Sequence, residues 1–364
     1  MTINDFLFIV LRSALWGHKT DGFELPSKPY KQLYHLSQRQ TVSGLLCSAL
    51  MENQDVRLNR YDAANTYTSL NDTIQTNGHM NSMVCELSEL LSSAGIRYLI
   101  VKGQITASMY RQPEVRESGD IDFYCPTSCF SQARELIAQR WNVTFEEESE
   151  SEQHLAFTYK DVLFEMHFNL FKFYNKANQR YWDSLMDEEV KTDHTVTVGN
   201  HQIPTLSPET NILYTFLHLF HHLVELGVGL RQFCDLAMML HHYHGTYSAA
   251  RLKEHLRRLG FEAGFKAVGA ILTDRLGLPA SEFPYELTEK DRAANQLMLD
   301  IIFTGGDFGK YGRKTAVRSG WKYYFEALTH KIGNYQKFYR LAPKEIRASL
   351  INQIPRKILL AFQP

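Results

Sequence analysis

The segment Gly119-Asp120-Ile121-Asp122, running on into Phe123-Tyr124-Cys125, constrains this chain more than any other. Successive side chains of a strand point to opposite faces, so an extended 120–125 puts Asp120 and Asp122 on one face and Ile121 and Phe123 on the other. Two carboxylates held so close repel each other unless positive charge lies between them. A divalent cation is the usual relief at a site that handles phosphate. On this reading, changing either aspartate to asparagine removes charge but not volume, leaves the fold intact and relieves repulsion.

A third carboxylate is needed if this pair serves phosphoryl transfer, and Glu165 supplies it. In Leu163-Phe164-Glu165-Met166-His167-Phe168 the same alternation puts Glu165 and His167 on one face and Phe164, Met166 and Phe168 on the other. A charge in so apolar a strand needs a reason. The competing reading is an edge strand with its polar face in water.

Around these segments the predicted order is helix, strand, helix, strand, helix, strand, strand: a small mixed sheet with helices, of α+β class. Residues 1–80 read as an N-terminal helical segment, with helices over 4–16, 31–51 and 72–94, the last running past that boundary and ended by Gly95. The catalytic domain is expected over 81–190. It holds a β-rich run at 97–101 ending in Lys102-Gly103, a helix over 105–111, the acidic strand, a helix over 128–140, and strands 154–159 and 162–170 joined by a Lys160-Asp161 turn. The glutamate-rich stretch 145–152 reads as a solvated loop or hairpin edge. Residues 191–206 read as an interrupted boundary. From Ser207-Pro208, an N-cap followed by a first-turn proline, a helical domain is expected over 207–364, with helices at 208–226, 230–244, 247–260, 262–276 and 288–303.

Composition excludes several classes. The formal net charge is −1, so nothing global argues for nucleic acid. The apolar stretch 6–11 is too short and wrongly flanked for a signal peptide, and no run reaches the ~18 apolar residues of a membrane span. A cytoplasmic protein is expected. Five scattered cysteines fit a reduced protein, and Cys125 and Cys129 lack a second pair at zinc-ligand spacing.

Two further features invite function. His218 and His222 face the same way on a helix, which is ligand geometry for a metallohydrolase, although no glutamate between them offers a general base and a core or cleft role competes. Residues 309–347 carry ten Lys and Arg against two Glu, interleaved with tyrosines. Such a segment binds single-stranded nucleic acid or a polyphosphate, is a helix exposing its lysines, or lies on an anionic membrane surface. Neutralising Lys310, Arg313, Lys314 and Arg318 together is expected to weaken an anionic acceptor more than a triphosphate.

Lys102-Gly103, Tyr110, Arg116, Gly119-Asp120-Ile121-Asp122 and Glu165-x-His167, in that order, resemble the nucleotidyltransferase superfamily typified by DNA polymerase beta and kanamycin nucleotidyltransferase. More closely, they resemble a bacterial family of uncharacterised nucleotidyltransferases. Leu36-Ser37, Gly44-Leu45-Leu46, the helix bearing His218 and His222, and Leu230-Arg231 with Asp235-Leu236 extend the likeness over most of 30–275.

The resemblance implies Mg2+-dependent transfer of a nucleotidyl group from a nucleoside triphosphate to a hydroxyl acceptor, a small molecule, protein or RNA. Asp120, Asp122 and Glu165 would be catalytic and would hold two Mg2+ ions about 3.5–4 Å apart. Lys102, Gly103, Gln104, Arg116, Gly119, His167 and Arg231 would contact the nucleotide. The superfamily places a small hydroxyl residue after the glycine, and Gln104 stands there instead. That departure keeps a second class open, a catalytically inactive module of the same fold that binds or regulates. A metallohydrolase built on the histidines is the third.

Overall fold

The computed structural model describes residues 2–17, 23–53, 56–146, 154–225, 227–306 and 321–352. Lys310, Arg313, Lys314 and Arg318, and nearly all of the glutamate-rich stretch, lie outside the described residues. The chain forms two compact units, one of Met1–Gln38, Val42–Lys172 and Asp183–Asn211, the other of Arg39–Thr41, Phe173–Trp182 and Ile212–Pro364.

The first unit contains α1 (Ile3–Trp16), β1 (Phe23–Glu24), all but the last residue of α2 (Ser27–Arg39), α3 (Ser43–Glu52), β2 (Val56–Arg57), α4 (Arg60–Ser93), β3 (Leu99–Val101), α5 (Gly103–Ala107), β4 (Asp120–Tyr124), α6 (Thr127–Trp141), β5 (His154–Tyr159) and β6 (Val162–His167). α7 (Lys176–Glu189), β7 (Thr195–Val198) and β8 (His201–Pro204) follow in the chain. The central sheet has the order β3-β4-β6-β5, with β4 and β6 parallel and both outer pairs antiparallel. The α+β class with a small mixed sheet is therefore as expected.

The apolar side of that sheet is a core of aromatics. Phe157 and Phe164 stack across the β5/β6 pair at 4.9 Å, and Trp141, at the end of α6, packs on Phe164 at 5.3 Å and stacks on Tyr159 at 4.3 Å. Phe123, Phe157, Phe164 and Met166 are fully buried, so the alternation that hides them turns Asp122, Glu165 and His167 to the other face.

Several local expectations need correction. The predicted helix over 31–51 is two helices, because Thr41 adopts a left-handed φ of 53° and Val42 N–H closes back on the Ser37 carbonyl at 3.0 Å, a C-terminal stop normally made by glycine. α4 starts well before residue 72, where Asn59 accepts from Tyr61 N–H and Asp62 N–H at 3.0 Å each. The helix predicted over 105–111 is the short α5. The interrupted stretch 191–206 contains the β7/β8 hairpin, turned by Gly199 at φ 57°. In the second unit, 288–303 is two helices, α12 (Glu289–Arg292) and α13 (Asn295–Gly305).

The loop that enters β4 is clamped from two sides. Asn77 of α4 donates to the carbonyls of Glu114 and Arg116 at 2.8 and 2.9 Å. From the other side, Glu117 accepts the Ser43 N–H and hydroxyl at 2.7 and 2.8 Å, capping the start of α3. Gly44 lets these elements approach: a Cβ there would stand 2.2 Å from the Val115 carbonyl oxygen. Backbone cannot swing aside as a side chain can. Gly44→Ala is expected to cost about 2–3 kcal/mol of stability, from the overpacking range. An unchanged midpoint in denaturant would show that the clamp yields.

The second unit is helical. It holds most of α8 (Pro208–Glu225), then α9 (Leu230–His242), α10 (Ala249–Leu259), α11 (Glu262–Asp274), α12, α13, α14 (Trp321–Phe338) and α15 (Pro343–Asn352). Buried Gln40 ties it internally, donating to the Ile302 carbonyl at 2.9 Å and accepting from Leu230 N–H at 3.1 Å.

A candidate acidic site on the four-stranded sheet

Asp122 faces Glu165 across the parallel β4/β6 pair, and Tyr124 faces His167. On the far side of β6, His154 of β5 faces His167. Parallel and antiparallel pairing thus bring residues from three strands onto one face, with Asp120 two positions before Asp122.

Asp122 is the centre of this group. It is buried, and its Oδ1 accepts from Lys102 Nζ at 3.1 Å and lies 2.7 Å from His167 Nε2. Burial alone would push its carboxyl up. The Lys102 ammonium, with the charge and hydrogen bond of His167, outweighs burial and holds Asp122 well below its ordinary value. Burial lowers His167, but its bonds to Asp122 and Glu165 prevail and raise it above 6.5. The two shifts describe one neutralised cluster, in which Lys102 and His167 supply the positive charge that close carboxylates require.

Lys102 reaches Asp122 from an unusual backbone, φ 55° and ψ −143°, the only such pairing of sign this chain shows at a helix start among the described residues. A lysine there costs of order 1–3 kcal/mol. Gly103 continues the turn with φ 39°, which only glycine adopts freely. A Cβ at Gly103 would make ordinary contact with the Asp120 carbonyl oxygen at 3.5 Å, so conformation rather than crowding calls for glycine.

The other residues singled out in the sequence divide. Gln104 is buried and donates to Asn81 Oδ1 at 2.6 Å, against α4. Arg116 is buried, and its guanidinium donates to the Ser118 hydroxyl at 2.8 Å and the Glu117 carbonyl at 3.2 Å. Gly119 leaves open space where a Cβ would stand. Arg231 lies on α9 in the second unit, its N–H on the Gln40 carbonyl at 3.3 Å. His218 and His222, also in that unit, stand with Nε2 atoms 3.2 Å apart, and among the described residues no third His, Cys, Asp or Glu joins them in a metal-sized group. All five cysteines are free thiols.

One residue of this face escaped the sequence reading. His154 Nε2 lies 3.7 Å from Glu165 Oε1, and its ring centroid is 4.8 Å from that of His167. The signal was present in the Lys160-Asp161 turn, where both residues have positive φ, 46° and 64°, as a two-residue hairpin demands. His154 lies as far before Lys160 as His167 lies after Asp161, so the turn itself dictates that they pair.

The fold and this face define a class: an α+β protein whose small mixed sheet carries a charge-compensated acidic cluster beside a strained Lys-Gly turn. The chain belongs to the family of uncharacterised nucleotidyltransferases, whose model matches residues 26–277. The crystal structure of an antigenic nucleotidyltransferase-like protein from Paracoccidioides brasiliensis is similar over 58% of this chain and 95% of its own, at 13% identity and a TM-score of 0.37. No curated protein matches the sequence. Among the described residues no helix is long and apolar enough to cross a membrane.

Proposed function

We propose that this protein transfers a nucleotidyl group from a nucleoside triphosphate to a hydroxyl acceptor, with Asp120, Asp122 and Glu165 holding Mg2+. The observation that carries the reading is the pairing of Asp122 with Glu165 on adjacent parallel strands, next to the Lys102-Gly103 turn, in a chain of a nucleotidyltransferase family.

The donor types suit the ion, while among the described residues Asp120, Asp122 and Glu165 do not stand as one group with ligand atoms within 4.8 Å of one another. Mg2+ prefers carboxylate oxygens and keeps several waters. Both hydrogen-bonding contacts of the Asp122 side chain fall on Oδ1, which leaves Oδ2 to a further ligand. Bound there, Mg2+ would polarise phosphoryl oxygens and lower the pKa of the acceptor hydroxyl. The chain's own residues do the rest. Lys102 and His167 keep Asp122 ionised, Gly103 permits close approach of phosphate to the backbone, and the first-turn amides of α5 have no intrahelical acceptor. Glu165, half-buried at the mouth of the cluster, takes the acceptor proton.

Incubation with each labelled triphosphate, Mg2+ and cell extract tests the reading. An acceptor should become labelled, and Asp120→Asn or Glu165→Gln should lower labelling by about three orders of magnitude, equivalent to several kcal/mol of transition-state stabilisation. Variants that label as well as the parent would refute the three-carboxylate site.

A second reading has its own observation. Gln104 replaces the hydroxyl residue of the superfamily and is turned to Asn81, which favours a module that binds nucleotide without transferring it. Calorimetry that finds Mg2+-dependent triphosphate binding, in a protein that labels nothing in any extract, would select it.

A further inference from the structure

We propose that His154, Glu165 and His167 form a binding site for a divalent first-row transition metal, with Zn2+ the best match. Each residue offers one ligand atom, and these atoms all lie within 4.8 Å of one another; no other His, Cys, Asp or Glu trio among the described residues does so. Glu165 spans the group. Its Oε1 is 3.7 Å from His154 Nε2, and its Oε2 is 3.4 Å from His167 Nε2. Donors of a tetrahedral ion with bonds of about 2.0–2.1 Å stand about 3.3 Å apart, so both Glu165–histidine distances lie near that spacing, and the trio as a whole, within 4.8 Å, would contract to hold one.

The scaffold holds these side chains. His154 and His167 are directly opposite in the β5/β6 ladder, and Glu165 is two residues from His167 on the same face. His167 is buried, whereas His154 and Glu165 are 21% and 23% exposed, so the group opens on one side. Two histidines, one glutamate and an open fourth position make the donor set of catalytic zinc sites. Imidazole nitrogen suits Zn2+ and its neighbours, while Mg2+ prefers oxygen throughout.

His167 Nε2 is the atom on which the two sites compete. It lies 2.7 Å from Asp122 Oδ1 and 3.4 Å from Glu165 Oε2. Coordination through that nitrogen releases the proton shared with Asp122, whose charge then rests on Lys102. Such a site would exist whether or not the chain transfers nucleotides. Asp120 belongs to the Mg2+ reading and lies outside this trio, so substitution there separates the two.

Full-length protein stripped with chelator and titrated with Co2+, a coloured stand-in for Zn2+, provides the test. The parent should bind one Co2+ with an intense visible band, and Zn2+ should displace it. His154→Gln, at a partly exposed position that tolerates change, should weaken binding by at least about a hundredfold, since one of three donors is lost. Asp120→Asn should keep the band. His218→Gln/His222→Gln is the control for the histidine pair of the second unit and should keep it too. The proposal is overturned if the parent yields no band, if folded His154→Gln binds Co2+ as the parent does, or if the band disappears only in the control.

Discussion

Asp122→Asn is expected to destabilise the metal-free protein by about 3 kcal/mol, the lower end of what removal of one partner from a buried ion pair costs. The sequence alone argues the opposite sign, because two neighbouring aspartates repel and asparagine relieves them. The structure reverses this for Asp122, which is already compensated: Lys102 Nζ lies 3.1 Å away and His167 Nε2 2.7 Å away, and all three side chains are at most 22% exposed. Asparagine keeps the volume but removes the buried negative charge that faces both the Lys102 ammonium and the His167 imidazole.

The pH profile gives this prediction its signature. Asp122 is depressed below 3.8, so the stability it contributes is fully present above 3.8 and is lost as pH falls through its lower folded value. His167 is raised above 6.5, so its contribution is full below 6.5 and is lost as pH rises through its higher folded value. Both are present between about 4 and 6.5, where the gap between parent and variant should be widest. Denaturant midpoints of chelated protein, taken across that range, provide the measurement. A variant as stable as the parent at every pH would mean that the cluster holds no net charge interaction.

How much of this site was legible in the sequence follows from how local its causes are. Period-two alternation suffices to place Asp120, Asp122, Glu165 and His167 on polar faces and Phe123, Phe164 and Met166 on apolar ones, because a strand has no other choice once one side is buried. Which strands adjoin is not local. The parallel β4/β6 pairing that sets Asp122 opposite Glu165 joins strands separated in the chain by α6 and β5, and alternation within a strand does not reveal its partner. The break at Thr41 was hidden for a different reason: a threonine in the left-handed region gives no glycine signal, and apolar spacing continues across it. The strand pair β7/β8 was hidden in a short polar stretch whose Gly199-Asn200 turn reads equally well as a linker.

Charge counting misleads most in the basic C-terminal stretch, where Lys331 counts toward a polyanion surface yet is buried. Its Nζ is 2.7 Å from Glu225 Oε2, and Tyr335, in the same stretch, donates to Glu225 Oε1 at 2.6 Å. Lys331→Met is therefore expected to destabilise the second unit by about 3–5 kcal/mol, because it leaves the buried Glu225 carboxylate with the Tyr335 hydroxyl and the more distant His221 in place of an ammonium. In the parent, burial pushes Glu225 up but His221 and Lys331 prevail and hold it below 4.5, so its contribution is present above 4.5 and lost as pH falls. Removing the lysine leaves burial dominant. The variant should instead gain stability as pH falls and the carboxyl takes up a proton. Adding Glu225→Gln to Lys331→Met should restore most of the loss, since a neutral pair of similar volume has no stranded charge. Denaturation of the two variants over pH 4 to about 8 decides the matter. A single variant with parental stability, or a double variant no better than the single, would mean that the buried Lys331–Glu225 pair adds nothing net to stability.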